Sequence, residues 1–192
     1  MNKIRLTTLV AAAVAVAVAL PGQAADSYTI DAGHTYPSFE IGHLGFSTQR
    51  GRFNKSAGKI TLDRAAKTGS VEITIDVASI DTGNAKLQDH LKSEDFFAAA
   101  QFPTITFKST ALKFDGDRLT SADGDLTIHG VTKPVSLAVS AFKCGAHPFT
   151  KKELCGADAS VTIKRSDFGI KYALPAVADD VKLLLNVEAY KD

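Results

Sequence analysis

Apolar and polar residues exchange places every second position along most of this chain. The stretch "SVEITIDVASI" is the clearest case, with Val71, Ile73, Ile75 and Val77 on one face and Glu72, Thr74 and Asp76 on the other. The same alternation runs through "SYTID", "SFEIGH", "GKITLD", "TITFKS", "DLTIHG", "PVSLAVSAF", "ASVTIKR" and "DVKLLLNVEAY". Period two with one wet face predicts antiparallel strands covering a core on one side. Turn signals rich in Gly, Asp and Pro separate the runs, among them "KSAG", "FDGDR", "IHGVTKP" and "RSDFG". Short strands at this spacing in one domain predict a sandwich or a barrel.

One segment breaks the alternation. In "LQDHLKSEDFFAAAQFPTITF", Leu87 and Leu91 lie four apart, and Phe96 and Phe97 follow. That spacing predicts a short helical insertion over about residues 84–98. Asn84 is the cap, Ser93-Glu94-Asp95 is a second start signal, and Pro103 is the stop. Its apolar face, Leu87, Leu91 and Phe96, must be buried on something. The expected role is a plug, roof or buttress of an apolar lumen.

The first 24 residues stand apart. Lys3 and Arg5, an uncharged apolar run and "PGQA" predict a cleaved secretory leader, with the mature chain starting at Ala25. The run is short for a membrane anchor, which needs about 20 apolar residues. Residues 25–192 then form one domain. Removing Lys3 and Arg5 takes the formal net charge from +1 to −1, so no basic face is expected, and neither nucleic acid nor anionic lipid headgroups are expected as partners. No other stretch could span a membrane. Cys144 and Cys155, in an exported chain, predict a disulfide whose loop closure is worth about 2–3 kcal/mol. The competing reading, a metal site from Cys144, His147, Cys155 and Asp158, lacks paired C-x-x-C spacing. No metal is expected.

Catalytic signatures are absent. The histidines, His34, His43, His90, His129 and His147, are scattered, with no zinc-protease spacing, nucleophile elbow or phosphate loop. Asp89-His90 with Glu94 reads as a solvated helix face, and His129 as a turn residue bonded to backbone. His43 shares the phase of Phe39 and Ile41 and can project inward. The inward set is hydrocarbon-like, which suits either a filled core or a pore for one apolar guest.

The blocks "FEIGHLGFSTQRGRF", "DHLKSEDFFAAAQFPTITFKS", "GDLTIHGVTKPVSL", "RSDFGI" and "VKLLLNVEAY", in this order, resemble the YceI family of periplasmic, lipocalin-like polyisoprenoid-binding proteins. The resemblance covers the whole mature chain. It implies an all-β fold, an extended eight-stranded antiparallel barrel with a short helical insertion, holding an isoprenoid lipid of quinone or prenyl-phenol type. It implies no cofactor and no catalytic residue. The Cys144–Cys155 loop is a departure that not all members carry.

The expected pore lining is Phe39, Ile41, His43, Val71, Ile73, Ile75, Leu87, Leu91, Phe96, Phe107, Leu126 and Leu183. A ten-residue strand tilted by about 40° gives a pore of roughly 25 Å. The expected function is a periplasmic carrier of such a lipid. The partner is the lipid itself, and a homodimer is compatible with the reading. The alternatives are a scavenger of other lipophilic molecules, or an enzyme acting on a lipid headgroup through His43 or His90.

Overall fold

The computed structural model describes residues 25–192, so the expected leader at 1–24 lies outside the described residues. The strands are β1 (Asp26–Ile30), β2 (Ser38–His43), β3 (Ser47–Phe53), β4 (Ser56–Asp63), β5 (Thr68–Asp76) and β6 (Ile80–Asp81). After helix α1 (Ala85–Lys92) come β7 (Thr104–Asp115), β8 (Arg118–Ile128), β9 (Val131–Ala146), β10 (Glu153–Lys164) and β11 (Val177–Lys191). Eight strands close a ring in the order β1-β4-β5-β7-β8-β9-β10-β11 and back to β1, and the sheet is antiparallel throughout.

β11 makes the barrel longer than its shorter strands. Its C-terminal part, Ala189 to Lys191, pairs with β1, while Val177 to Leu184 pair with β2 along the same edge. β2 pairs in turn with β3, and β3 with the two-residue β6. One end of the barrel is therefore walled by β1 and β4, the other by β2 and β3.

The β1 end is sealed. Tyr28, Ile30, Leu62, Cys155 and Ala189 form a buried cluster there, with Tyr28 and Ala189 at 0% exposure. Cys144 and Cys155 stand directly opposite in the β9–β10 register and form the expected disulfide, with Cα atoms 4.0 Å apart. Gly145, Ala146, Glu153 and Leu154 continue the strands, so the hairpin loop is only 147–152.

The β2 end is splayed. β9 and β10 pair from Glu153↔Ala146 to Ser160↔Ala138 and then separate. A 3-10 turn at Arg165–Phe168 lies against both strands, burying Phe168 and, just beyond it, Ile170. The segment between β6 and β7, which includes α1, brings Leu91, Phe96 and Phe97 against the main core. Asn84 caps α1, its Oδ1 accepting from the Leu87 N–H at 3.2 Å. The helix stops at Lys92, where the Ser93 backbone N–H and hydroxyl both donate to the His90 carbonyl. The expected second helical start at Ser93-Glu94-Asp95 yields turns instead. The Ala98 N–H donates to Ser93 O, and Ala98 itself takes a positive φ of 45°, which a helix cannot continue through.

At the β8–β9 hairpin His129 and Gly130 have φ of 51° and 73°, as a two-residue type I′ turn requires. The His129 ring does not make the expected backbone hydrogen bond among the described residues. It lies edge-on to Phe102, with centroids 4.6 Å apart.

Candidate functional site: an apolar cavity with one polar rim

The splayed end holds a cavity of about 550 Å³, within the range of small-molecule sites. Phe39, Ile41 and His43 enter it from β2, Leu87 and Leu91 from α1, Phe96 from the turns that follow, and Leu183 from β11. These seven are residues that the alternation and the helical spacing single out. No residue of α1 is fully buried, because Leu87 and Leu91 border the open cavity, although Leu91 also packs against the core.

The other expected lining residues lie deeper. Val71, Ile73 and Phe107 border a separate slit of about 80 Å³. Ile75 and Leu126 border neither space and are buried in the core at 8% and 6% exposure. The register shows where the lumen narrows. Along β7, Ile105 faces the cavity and Phe107 the slit, while along β11 Leu183 faces the cavity and Leu185 the slit. Ile75 pairs with Ile105, and Leu126 with Phe107, so the two buried residues stand at that boundary. On β11 the cavity runs from Val177 to Leu183, which is about 20 Å of strand and roughly 15 Å along the axis. That is shorter than the expected 25 Å, because the lumen near the sealed end is filled by side chains.

Phe39 is placed by a glycine. A Cβ on Gly51, opposite it on β3, would lie 2.4 Å from the Phe39 ring, so only glycine lets that ring lie flat against the neighbouring strand. Phe53 and Phe97 continue the aromatic wall, their centroids 5.8 Å apart.

Polar groups gather at the rim. His43, Gln49, Arg50, Thr82 and His90 border the mouth. His90, expected on a solvated face, has its Nε2 2.9 Å from Asp95 Oδ2, and its ring meets Phe96 and Tyr172 edge-on at 5.0 and 5.2 Å. Glu94 does not join it and sits near Gln101. Arg50 is held by Glu40 at 2.8 Å. Among the described residues the lining contains no Ser, Cys, Asp or Glu.

Arg165 is the residue that strand phase alone does not reveal. It is 5% exposed and borders the cavity. Its Nε–H donates to Ala178 O at 2.9 Å, Nη1 to Tyr172 O at 2.8 Å and Ile170 O at 3.2 Å, and Nη2 to Val177 O at 3.0 Å. One guanidinium thus pins the rim segment between the 3-10 turn and β11. Burial pulls its pKa below the ordinary arginine value, opposed by the Asp179 charge. Asp179 accepts from the Ser166 N–H and hydroxyl, which hold its carboxyl below the usual range.

A carboxylate and histidine group lies elsewhere, on the outside near the sealed end. Asp31, His34 and Glu188 place ligand atoms within 4.8 Å of one another. Asp31 already accepts from the Gly33 N–H and pairs with His34 Nδ1, both at 2.8 Å, so the group is accounted for as a turn lock.

Fold and cavity together define a single-mouthed antiparallel barrel with an apolar interior. The family model described as the YceI-like domain matches residues 28–189, and the chain belongs to that family. Protein YceI of Escherichia coli O157:H7 is 40% identical over 167 residues, covering 85% of this chain and 86% of that protein. The crystal structure of Burkholderia cenocepacia BcnA superposes with a TM-score of 0.74 at 28% identity, over 83% of this chain and 98% of that one. A polyisoprenoid binding domain from Saccharophagus degradans has a TM-score of 0.64 at 17% identity, covering 86% and 98% of the two chains, and is similar in fold.

Proposed function

We propose that this protein is a periplasmic carrier that holds the tail of an isoprenoid lipid, such as a long-chain quinone or prenyl-phenol, in the barrel cavity. The observation that carries the reading is the cavity itself: about 550 Å³, walled mainly by Phe, Leu, Ile and Val, its polar groups being those at the mouth and the buried Arg165, whose donors are engaged by carbonyls. Such a wall rewards buried hydrocarbon at about 0.8 kcal/mol per CH₂ and offers little to a polar guest. At about 30 Å³ per water-sized group, the space takes roughly 18 non-hydrogen atoms, three to four five-carbon units. The Saccharophagus domain, whose own description is polyisoprenoid binding, supports the choice of ligand class.

In this reading the headgroup rests at the rim, where His43, Gln49, Arg50 and Thr82 offer hydrogen-bonding groups. The periplasmic assignment rests on the leader pattern of residues 1–24. No reaction is assigned. Mass spectrometry of lipid co-purifying with the exported protein tests the proposal. An isoprenoid chain is expected, and a preparation carrying only non-isoprenoid lipophiles would favour the scavenger reading instead.

A further inference from the structure

Large hydrophobic side chains are exposed at few places among the described residues, and three of the four cluster at one spot. Leu44, Phe46 and Tyr172 are 50%, 90% and 47% exposed. Leu44 and Tyr172 border the cavity mouth, and Phe46 projects from the same β2–β3 turn. The fourth, Phe149, lies in the hairpin at the sealed end. Two segments make this rim, "LGFSTQ" at 44–49 and "YALPAVA" at 172–178, and neither contains a charged residue in a chain that is 22% charged. They touch, the Leu44 N–H donating to the Ala176 carbonyl at 3.0 Å. The first segment lies between His43 and Arg50, which is paired with Glu40, and the second between Lys171 and Asp179; Lys171 makes no ion pair among the described residues.

We infer that this rim docks on a lipid bilayer, with Phe46 inserted at the headgroup boundary and the cavity mouth turned toward the membrane. The inference rests on the isoprenoid reading above, since it supplies the route by which a tail enters. The occupant follows from continuity and charge. On the side formed by Leu44 and Tyr172 the uncharged segments lead into the apolar cavity, beside the polar groups of His43, Arg50 and His90, so a tail can slide along that side from hydrocarbon to hydrocarbon. Each methylene kept out of water on the way is worth about fourfold in rate or occupancy. An aromatic tip, an amphipathic tyrosine and the unpaired cation of Lys171 match the layers of a membrane interface. A protein partner fits less well, because the two segments hold thirteen residues against the 20–30 a side of a stable protein interface.

The chain has no tryptophan, so Phe46→Trp gives a single reporter on a residue that does not line the cavity. With phosphatidylcholine vesicles containing a few per cent of a long-tailed quinone, Phe46→Trp is expected to float with the vesicles. Its emission should shift to the blue and be quenched by lipids brominated along their chains. Phe46→Ser should lose about tenfold in vesicle binding, while Phe149→Ser behaves as the parent. Affinity for the same quinone in detergent micelles should change less than twofold in Phe46→Ser. Vesicle binding that is absent in the parent, or unchanged in Phe46→Ser, overturns the docking. So does a dimer of the parent that Phe46→Ser dissociates, since the rim would then be a self-interface. If the parent floats through Phe46 yet takes no quinone from micelles, docking stands and the isoprenoid reading fails.

Discussion

Phe107 and Leu126 face each other across β7 and β8 as a directly paired couple, 7% and 6% exposed, at the level where the open cavity gives way to packed side chains. On its other side Phe107 pairs with Ile73 of β5, so one aromatic ring is held between two aliphatic neighbours. This row stands behind the inner end of the cavity and separates it from the slit of about 80 Å³, which Phe107 and Ile73 border.

That inner end sets an expected tail length. Affinity for quinones should climb with isoprene number and level off near four units, where the open cavity ends in front of the packed row of Phe107 and Leu126. Leu126→Ala should move the plateau to longer tails by joining slit and cavity, at a cost of about 2–5 kcal/mol in stability. Titration of a tail-length series against parent and variant checks this. A plateau that stays in place despite a folded variant would remove that row from the account, and equal affinity for a tailless quinone would mean a headgroup site.

The helix should be a wall of the site. Leu91 packs against the main core from α1 while bordering the cavity. Leu91→Asp sets a carboxylate against apolar surface, a change worth several kcal/mol where water is excluded. Loss of lipid retention, of thermal stability, or of both is expected. A folded Leu91→Asp protein with its full lipid content, measured by extraction and mass spectrometry, would contradict the wall.

Strand phase made the inner face of the barrel legible but not its depth. Val71, Ile73 and Ile75 share a face by alternation, yet two border the slit and one is in the solid core. Period two tells which side a residue faces, while distance along the axis depends on how strands are staggered. β3 was hidden for a different reason. In "STQRGRF" only Phe53 is buried, so no apolar rhythm marks the strand. The turns after Lys92 carry helix-like letters but are held by backbone bonds to Ser93 and Leu91 that composition does not encode. Arg165 was illegible because a charged residue ending a strand reads as exposed. Its burial depends on four carbonyls brought round by the loop that follows.

The His34–Asp31 pair should titrate visibly. The hydrogen bond to Asp31 is the main cause raising the His34 pKa above the ordinary value of 6.5, with the Asp31 and Glu188 charges adding to it. The same bond holds the Asp31 carboxyl below its usual value. For His34 the folded value is the higher one, so its stabilising effect is complete below 6.5 and fades as pH rises through the raised folded value. For Asp31 the effect is present above the usual carboxylate range and fades as pH falls. An NMR titration of the His34 ring should give a midpoint above 6.5, returning toward it in Asp31→Asn. Identical midpoints in both proteins would mean that the pair is not formed in solution.

Arg165 is expected to be the most sensitive polar position of the rim. Replacing it with methionine removes the guanidinium's four hydrogen bonds to the carbonyls of Ile170, Tyr172, Val177 and Ala178. Buried acceptors left unpaired cost about 1–3 kcal/mol each, and because they act as one unit the total should be about 3–5 kcal/mol. Arg165→Lys keeps the charge but has a single nitrogen in place of a planar fork, so it should recover only part of the loss. The damage should be local first. Amide exchange in residues 169–178 should accelerate in both variants while the disulfide end, around Tyr28 and Ala189, stays protected. Uniform acceleration across the barrel would instead make Arg165 a global support, and unchanged exchange at 169–178 would show that its four hydrogen bonds do not hold the rim.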